Sequence, residues 1–270
     1  MNTYGSMERL IDAYVSFVNG IPFYGRAFLC TDCPNVASML GRLKKRYTTY
    51  GTSIDADFCA ADMRFEGISS TFEVIHRGAA LGSVRIDMPG RHTVLNALAA
   101  IAVGMEFGVP FAECAAALAA FEGIMRRFEI KGERGGVLVV DDYGHHPTEI
   151  KATLSAAASF GRRVVAVFQP HRYTRTADLF EQFLRAFDDA DEVVVTDIYP
   201  AGEVPIEDLH GERLAGALAR CHRGTVRYVP SGPELPGVVA ERARPGDLVI
   251  TLGAGDITAA AGEILSALER

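Results

Sequence analysis

After residue 123 the sequence alternates short apolar runs with stretches of helical spacing. The apolar runs are VLVV (137–140), VVAVF (164–168), EVVVT (192–196), VRYV (226–229) and DLVITL (247–252). The helical stretches begin at Pro147, span 177–187, 208–220 and 233–241, and begin again at Asp256. Buried strands that alternate with helices form a mostly parallel sheet with right-handed crossovers. We therefore predict an α/β fold with a mostly parallel sheet and flanking helices for this part of the chain.

Residues 1–122 have a different pattern and predict a separate domain. Helical spacing covers 7–19, 35–45, 93–107 and 111–121, and strand-like sequence covers 25–30 and 46–87. A chain of 270 residues is long enough for about two domains. We place the boundary after Glu122, so the predicted domains are 1–122 and 123–270.

Charge and composition exclude several classes of protein. The net charge of −7 leaves no broad basic surface, which argues against a general nucleic-acid binder. No run of about 18 apolar residues occurs, and the N-terminus lacks the pattern of a signal peptide, so we expect no membrane association. Five scattered cysteines are typical of reduced thiols, and we expect a cytoplasmic protein. Cys30 and Cys33 lack the second pair that a structural metal site needs.

Polar residues follow three successive strands of the predicted sheet. They lie in the segments 141–149 (DDYGHHPTE), 169–176 (QPHRYTRT) and 197–203 (DIYPAGE). The carboxyl ends of parallel strands lie at one edge of a sheet, where ligands bind in open α/β folds. The sequence therefore predicts a site that collects acids, histidines and arginines at this edge.

The acids and histidines of the first segment also have a structural interpretation. Asp141 and Asp142 could cap the turn before a helix that starts at Pro147. His145 and His146 are adjacent, so they point in different directions and are poor joint metal ligands. We therefore discount a metal hydrolase built on these two histidines.

The arginines and the last glycine turn leave a similar choice open. Arg172 and Arg175 are three residues apart at a helix start, where they could be a solvated pair or could clamp a carboxylate or phosphate. Arg126 and Arg127 raise the same alternatives. The turn 253–256 (GAGD) could bind an anion at a helix N-terminus, but we favour a structural strand-to-helix turn.

Two nucleotide-binding motifs are missing from the sequence. It contains neither a phosphate loop of the G-x-x-G-K-[ST] type nor the pattern G-x-G-x-x-G. The use of ATP therefore cannot be predicted from a glycine motif in this chain.

Six segments, in order along the chain, resemble the UDP-N-acetylmuramate–L-alanine ligases of the Mur ligase family. They are PGRHTVLNALAA (89–100), FEGIMRRFE (121–129), DDYGHHPTEI (141–150), FQPHRYTRT (168–176), DIYPAGE (197–203) and TLGAGDI (251–257). YGS and PFYGRA near the start match as well. The resemblance covers essentially the whole chain.

The resemblance implies a domain organisation. A full-length member has a UDP-binding domain, a central ATPase domain with a phosphate loop and Mg²⁺ ligands, and a Rossmann-like C-terminal domain. Residues 1–122 would be an α/β remnant of the central domain, and 123–270 would be the Rossmann-like domain. We infer that the chain is a fragment, or that a second chain supplies the rest.

The resemblance also implies a reaction. Members use ATP to phosphorylate the lactyl carboxylate of UDP-N-acetylmuramate, and the amine of L-alanine then attacks the acyl phosphate, in peptidoglycan synthesis. The expected cofactors are ATP and Mg²⁺. The usual metal ligands belong to the missing part, so we assign none here and expect the fragment to be inactive alone.

Roles for individual residues follow from the same resemblance. His92 and Asn96 would flank the adenine, although many relatives have Asn where this chain has Thr93. Arg127 would reach toward the nucleotide phosphates, and Asp142 would orient the nucleotide.

A second group of residues would serve the acceptor and the incoming amino acid. His145, Arg172 and Arg175 would face both, and Tyr143 would line the same space. We assign catalytic roles to these three residues together with Arg127 and Asp142.

Other functions remain open from the sequence. One is a ligase that reattaches recycled murein tripeptide to UDP-N-acetylmuramate. Another is a non-catalytic module that binds nucleotide or substrate, either a decayed ligase or one subunit of a split enzyme. A stand-alone nucleotide-binding domain lacks the expected glycine fingerprint. The sequence does not determine the oligomeric state.

Overall fold

A computed structural model of the chain describes residues 4–268. The chain divides into two compact units, Met1–Glu122 and Gly123–Arg270. Each unit builds its helices around one mixed sheet, which confirms the predicted α/β class.

The first unit has helices at both ends and strands in the middle. Its strands are β1 (Ala27–Cys30), β2 (Tyr47–Gly51), β3 (Phe58–Glu66), β4 (Ser69–His76) and β5 (Ala79–Ile86). Its helices are α1 (Met7–Asn19), α2 (Pro34–Met39), a 3-10 turn (Leu40–Arg42), α3 (Arg91–Glu106) and α4 (Phe111–Ala119).

The strands of the first unit lie in the order β1-β2-β3-β4-β5. The pairs β1–β2 and β2–β3 are parallel, whereas β3, β4 and β5 form an antiparallel meander. The apolar side of α3 packs on this sheet through Val94, Leu98 and Ile101, which are fully buried. The carboxyl ends of β1 and β2 consequently lie near the first turn of α3.

The predicted helix over 35–45 was too long. Regular helix ends at Met39, and a 3-10 turn ends at Arg42. The side chain of Asn19 donates to the carbonyl of Arg42 at 3.2 Å and accepts from the amide of Lys44 at 2.7 Å. These bonds take backbone groups that a longer helix would need for its own ladder.

The second unit alternates strands and helices after one initial hairpin. Its strands are β6 (Glu129–Arg134), β7 (Val137–Asp142), β8 (Arg163–Phe168), β9 (Glu192–Val195), β10 (Thr225–Tyr228) and β11 (Asp247–Leu252). Its helices are α5 (Pro147–Ala158), α6 (Tyr173–Asp178), α7 (Phe180–Phe183), α8 (Gly211–Leu218), α9 (Leu235–Arg242) and α10 (Ile257–Ala267).

The strands of the second unit lie in the order β10-β9-β8-β11-β7-β6. All neighbours are parallel except β6, which pairs antiparallel with β7. One buried cluster joins the sheet to α5, α7 and α8, and a second joins its other face to α9 and α10. Helices therefore cover both faces, as in other open parallel sheets.

One strand of this unit was not predicted and one predicted helix was wrong. Strand β6 was not predicted because its sequence EIKGER has no apolar alternation. The helix expected over 177–187 is instead two short helices, α6 and α7, separated at Leu179, which has φ −111° and ψ 14°.

The start of α8 also differs from the predicted 208. The helix begins at Gly211, where an added Cβ would overlap the carbonyl of Thr196. Only glycine permits this close approach between the helix start and the end of β9. Among residues 4–268, no helix is both long enough and apolar enough to cross a membrane.

Candidate active site

Three loops, each after a strand, meet at the carboxyl edge of the second unit's sheet. The rings of His145, after β7, and His171, after β8, lie 5.7 Å apart. The ring of His171 stacks on Tyr199, after β9, at 5.4 Å, and the amide of Arg172 donates to the carbonyl of Tyr199 at 2.8 Å. The polar residues of the three segments therefore form one cluster.

Asp141 is a buried structural carboxylate beneath this cluster. It accepts hydrogen bonds from the hydroxyls of Thr251 and Thr258, each at 2.6 Å. Nε of Arg126 lies 3.5 Å from Oδ2, the oxygen that also accepts from Thr258. Asp141 thus joins the end of β7 to β11 and to the first turn of α10.

Asp142 is also buried, and both of its carboxylate oxygens accept hydrogen bonds from residues of the same unit. They accept from the amides of Phe128 and Gly144, at 2.8 and 2.7 Å, and from the hydroxyl of Thr153 at 3.2 Å. Burial raises the pKa of Asp142. In this structure the carboxylate shapes the loop after β7 and the backbone next to Arg127, so any effect on a nucleotide passes through those elements.

Asp142 caps the turn before α5, because its Oδ1 accepts from the amide of Gly144 two residues further on, but neither aspartate is the N-cap of the helix itself. His146 is the capping residue, and its Nδ1 accepts from the amide of Thr148 at 3.3 Å. Glu149 accepts from the amides of His145 and His146, at 3.1 and 3.2 Å. The two histidines therefore have different roles. His146 is the N-cap of α5, and the ring of His145 belongs to the cluster at the sheet edge.

Arg126 and Arg127 are adjacent but have contrasting environments. The guanidinium of Arg126 donates to the carbonyls of Gly253 and Gly255, at 2.7 and 3.2 Å, and lies 4.8 Å from the ring centre of Tyr143. Arg127 is exposed and lies 5.5 Å from the same ring. No side-chain hydrogen bond or ion pair joins Arg127 to another residue within 4–268. The geometry gives Arg126 a structural role and leaves Arg127 able to meet a ligand.

Arg172 and Arg175 flank the start of α6. Arg172 precedes the helix with φ +70°, and its guanidinium is half-exposed, 4.0 Å from Glu203. Glu203 accepts much shorter bonds from the amide and hydroxyl of Thr174, at 3.0 and 2.6 Å. Arg175 has no carboxylate within ion-pair distance in the described chain; it donates to Nδ1 and the carbonyl of His171. The pair is therefore not neutralised by close ion pairs.

The histidines of the cluster favour the neutral state. Burial is the main cause that lowers the pKa of His145, His146 and His171, and the nearby charge of Arg175 lowers all three further. Burial and Arg172 also lower the pKa of Arg175. The positive charge of the site therefore comes from its arginines.

The turn 253–256 is closed by side chains, in agreement with the structural interpretation. Gln169 accepts from the amide of Ile257 at 3.2 Å and donates to Asp256 at 2.7 Å. An added Cβ on Gly255 would overlap Gln169 and come within 2.7 Å of the Tyr199 ring. The helix N-terminus is thus engaged by Gln169, and the glycine is required by packing.

The first unit carries the residues predicted to flank adenine. His92 and Asn96 lie in the first turns of α3, His92 half-buried and Asn96 exposed. The hydroxyl of Thr93 donates to the carbonyl of Pro89 at 2.9 Å, and the residue is buried. The Thr93 side chain is therefore engaged inside the unit.

A polar cluster beside His92 was not predicted from the sequence. Asp32, after β1, accepts from the amide and hydroxyl of Thr52, after β2, and from the guanidinium of Arg91 at 2.6 Å. Burial opposes ionisation, but the bonds from Thr52 and Arg91 lower the pKa of Asp32. An added Cβ on Gly51 would overlap the Asp32 carboxylate. The cluster fixes the first turn of α3; the only sequence signal was that these residues follow strand ends.

No role was predicted for His171, Glu203 or Gln169, although each lies in one of the polar segments 169–176 and 197–203. Their roles depend on contacts between different loops, which spacing along the chain does not show. Within residues 4–268, no group of three or more His, Cys, Asp or Glu side chains could hold a metal ion.

Two family models match the chain. The model described as "Mur ligase middle domain" matches residues 1–104, and the model described as "Mur ligase, glutamate ligase domain" matches residues 126–255. The chain therefore belongs to the Mur ligase family.

Curated relatives carry a more specific name. The UDP-N-acetylmuramate–L-alanine ligase of Geobacter sp. (strain M21) is 51% identical over 259 residues, which cover 95% of this chain and 56% of that protein. The ligase of the same name from Anaeromyxobacter sp. (strain Fw109-5) is 51% identical over 263 residues, 97% of this chain and 57% of that protein. The chain thus spans about half the length of the curated relatives it matches.

A solved structure supports the fold. The UDP-N-acetylmuramate-alanine ligase MurC from Thermotoga maritima matches with a TM-score of 0.77 and 24% identity, over 98% of this chain and 56% of that one. A likeness at this level of identity concerns the fold alone.

Proposed function

We propose that the chain is part of an ATP-dependent ligase that joins L-alanine to UDP-N-acetylmuramate. The observation that carries the proposal is the arginine pair at the carboxyl edge of the second unit. Arg172 and Arg175 lie beside histidines whose pKa is lowered; the one ion pair of Arg172 is long, 4.0 Å to Glu203, and Arg175 has no carboxylate within ion-pair distance among residues 4–268. Such a site favours anionic groups, and both the amino acid and the phosphorylated acceptor carry them. The names of the half-identical relatives support the same reaction.

The proposed reaction has two steps. The γ-phosphoryl group of ATP passes to the lactyl carboxylate of UDP-N-acetylmuramate, and ADP leaves. The amine of L-alanine then attacks the acyl carbon, a proton is lost from nitrogen, and phosphate leaves. Both steps place negative charge on oxygens, which fixed guanidinium groups stabilise when they are already in place.

Residues of each unit would serve this reaction in different ways. In the second unit, exposed Arg127 would meet the nucleotide phosphates, because no carboxylate among residues 4–268 lies within ion-pair distance of it. His145, Arg172 and Arg175 would face the acceptor and L-alanine. In the first unit, His92 and Asn96 would flank the adenine from one face of α3.

The described residues suit the phosphates of ATP better than they suit Mg²⁺. The unpaired guanidinium of Arg127 suits an anionic phosphate chain. The described residues do not offer a set of metal ligands, and none of the steps above is assigned to a metal. We also propose a cytoplasmic location, since ATP and the nucleotide sugar are cytoplasmic substrates of the proposed reaction.

The first experiment recovers the native protein from the source cell with an antibody against this chain. The recovered polypeptide is sized, and it is assayed together with any partner chain that comes with it. We call this material the native-length protein. We expect a band well above 29.1 kDa, the mass of the 270-residue chain. We expect product formation that requires ATP, UDP-N-acetylmuramate and L-alanine together. The relative from Geobacter sp. serves as the positive control.

Other outcomes separate the alternatives. Faster turnover with murein tripeptide than with L-alanine would assign the protein to the recycling branch. Nucleotide binding without any ligation, under conditions where the control is active, would favour a binding module. Product formation by the pure 270-residue chain would contradict the expectation that it is inactive alone.

A further inference from the structure

The cysteine pair Cys30 and Cys33 has no role in the proposed reaction, but it occupies a defined place in the fold. The pair spans the turn between β1 and α2, and β1 and β2 are parallel neighbours, so the cysteines lie in the first loop of a β-α-β unit. A C-x-x-C motif in such a unit is typical of redox-active dithiols, whereas a structural metal site needs a second pair.

The backbone between the two cysteines forms a β-turn, because the amide of Cys33 donates to the carbonyl of Cys30 at 3.4 Å. Such a turn brings the Cα atoms of its first and last residues to within about 7 Å, and a disulfide spans about 4.4–6.8 Å between Cα atoms. Both side chains are also partly exposed, so a small molecule in solvent reaches them. The turn therefore holds the pair at a separation that a disulfide can span.

The other two cysteines of the first unit are not placed to compete. Cys30 is in register with Tyr50 of β2, and Tyr50 with Phe58 of β3, so these side chains point to one face of the sheet. Cys59 follows Phe58 and points to the opposite face. Cys114 lies in α4, which packs against β5, at the opposite edge of the sheet from β1. The partner that the fold places beside Cys30 is therefore the other cysteine of the turn.

The residue between the cysteines joins this turn to α3. Asp32 accepts from the amide and hydroxyl of Thr52, at 2.7 and 3.0 Å, and from the guanidinium of Arg91, the first residue of α3, at 2.6 Å. An added Cβ on Gly51 would overlap the Asp32 carboxylate, so the carboxylate is closely packed. A rearrangement of the turn consequently changes the bonds that hold the first turn of α3.

The thiol of Cys30 takes part in the reduced form of the turn. Burial raises the pKa of Cys30, and hydrogen bonds from the amides of Asp32 and Cys33 oppose that effect. These amides therefore point at the sulfur of Cys30. An S–S bond sets its own Cβ–Cβ separation and torsion angle, so the sulfur leaves this position when the bond forms.

We propose that Cys30 and Cys33 are a redox-active dithiol that reacts with low-molecular-weight disulfides and controls the order of the first turn of α3. The thiolate of Cys33 attacks one sulfur of the small disulfide, whose S–S bond breaks, and one small thiolate leaves with the electron pair. The thiolate of Cys30 then attacks the sulfur of Cys33, and the second small thiolate leaves. The two cysteines are oxidised, the small disulfide is reduced to two thiols, and the protons of the cysteines pass through solvent to those thiols.

The reduced form is the one in which Asp32 holds Arg91. Oxidation disturbs this ion pair and loosens the start of α3, where His92 and Asn96 would flank the adenine. The effect on ATP rests on the proposed function, whereas the chemistry of the dithiol does not.

The first test treats the native-length protein with glutathione disulfide, then alkylates the remaining thiols after unfolding. Peptide mapping by mass spectrometry should find Cys30 joined to Cys33, with Cys59, Cys114 and Cys221 alkylated, and dithiothreitol should reverse the bond. A thioredoxin in the same solution is the positive control. Two free thiols at the turn when the thioredoxin is oxidised, or a stable glutathione adduct on either cysteine, would overturn the proposal.

The second test measures hydrogen exchange of the peptide that covers 91–100. We expect oxidation to speed its exchange about 10- to 100-fold, as for the loss of one hydrogen bond to a charged partner. Cys33→Ser is the matched control, because the Cys33 side chain makes no capping hydrogen bond, and glutathione disulfide should leave its exchange unchanged. If that variant does not fold, Cys33→Ala takes its place. The same exchange in the oxidised and reduced protein would overturn the link to α3.

The third test compares the KM for ATP before and after oxidation of the native-length protein. We expect a rise of about 10-fold, with no change in the Cys33→Ser variant. An unchanged KM in the oxidised protein would overturn the effect on ATP. If the disulfide forms and α3 loosens but neither form makes product, the proposed function fails while the dithiol stands.

Discussion

The charged side chains at the two edges of the second unit's sheet are paired to different degrees. At the amino edge, the buried carboxylate of Glu192 is surrounded by the guanidinium groups of Arg163, Arg227 and Arg242. Arg163 also binds the buried Asp247 at 2.7 Å. At the carboxyl edge, Arg172 and Arg175 lie among neutral histidines. The nearby carboxylates accept other bonds: Glu203 from Thr174, and Glu149 from the amides of His145 and His146. The same sheet therefore has one edge where close ion pairs surround a buried carboxylate, and one edge where Arg175 has no ion pair among residues 4–268 and Arg172 has only a long one.

The pKa directions express this difference. Burial opposes ionisation of Glu192, but the hydrogen bonds and charges of Arg242 and Arg163 lower its pKa. At the other edge burial lowers the pKa of the histidines, and Arg175 adds to the effect. Internal compensation is typical of a stabilising network, whereas uncompensated charge in a pocket is typical of a binding site.

The largest expected effect is at the amino edge. Glu192→Gln leaves three partly exposed arginines without their buried partner; because solvent screens the charges that remain, we expect a loss of about 2–3 kcal/mol. Hydrogen exchange of β8 and β9 peptides in the native-length protein measures the local opening free energy. Glu181→Gln, at an exposed position in α7, is the control and should change nothing. Similar protection in both variants would show that the amino edge contributes little to stability.

The next effect is at the carboxyl edge. Arg175→Ala in the native-length protein should lower kcat/KM for L-alanine roughly 100-fold, because a charge-assisted contact to the ligand is lost. Hydrogen exchange of the sheet should remain unchanged, unlike in the Glu192 variant. Steady-state kinetics at varied L-alanine measures the change. If Arg175→Ala lost stability but kept its kcat/KM for L-alanine, the carboxyl edge would be the stabilising one, which contradicts the comparison.

A smaller effect tests the packing between the loops. Gly255→Ala places a Cβ against Gln169 and the Tyr199 ring, on which His171 stacks. We expect a destabilisation of about 1–3 kcal/mol, as for other overpacked sites, and a raised KM for L-alanine. In Gly262→Ala, within α10, the added Cβ meets open space, so this control should be neutral or slightly stabilising. Equal behaviour of the two variants would show that the turn adapts at no cost.

The smallest effect concerns pH. The pKa of His145, His146 and His171 lies below the ordinary 6.5 in the folded chain. As the pH falls through 6.5, the unfolded chain binds protons that the folded chain does not, so these groups lower the stability of the fold. Below the folded pKa values no further loss follows from them. Urea unfolding between pH 7.5 and 5.5 measures the trend, and replacing His171 by Asn should reduce its slope. An unchanged slope would show that His171 does not contribute.

The sequence predicted most of the second unit because its strands are apolar and short. The runs 137–140 and 247–252 are nearly continuous in Val, Ile and Leu, and both became buried strands. Strand β6 was missed because its stability comes from pairing with β7 rather than from apolar residues. The split at Leu179 was missed because local spacing over 177–187 does not show where the ladder breaks.

The site was predictable as a place but not as a set of contacts. Polar segments after strands indicated the carboxyl edge. The bond from Thr258 to Asp141 spans 117 residues, and that from Arg126 to Gly255 spans 129, so no local pattern reveals them. The same limit hid the burial of Asp142 and the contact between His171 and Arg175.

Strand β11 is the last strand along the chain, but it lies in the middle of the sheet, between β8 and β7. During synthesis on the ribosome, β7 and β8 therefore emerge long before the strand that separates them. Until Asp247–Leu252 leaves the exit tunnel, both strands have an unpaired edge and Arg126 has no carbonyl to bind. The loops after β8 and β9 can meet before this strand emerges, because their strands pair directly, whereas the loop after β7 takes its place beside them only when β11 has paired with both β7 and β8.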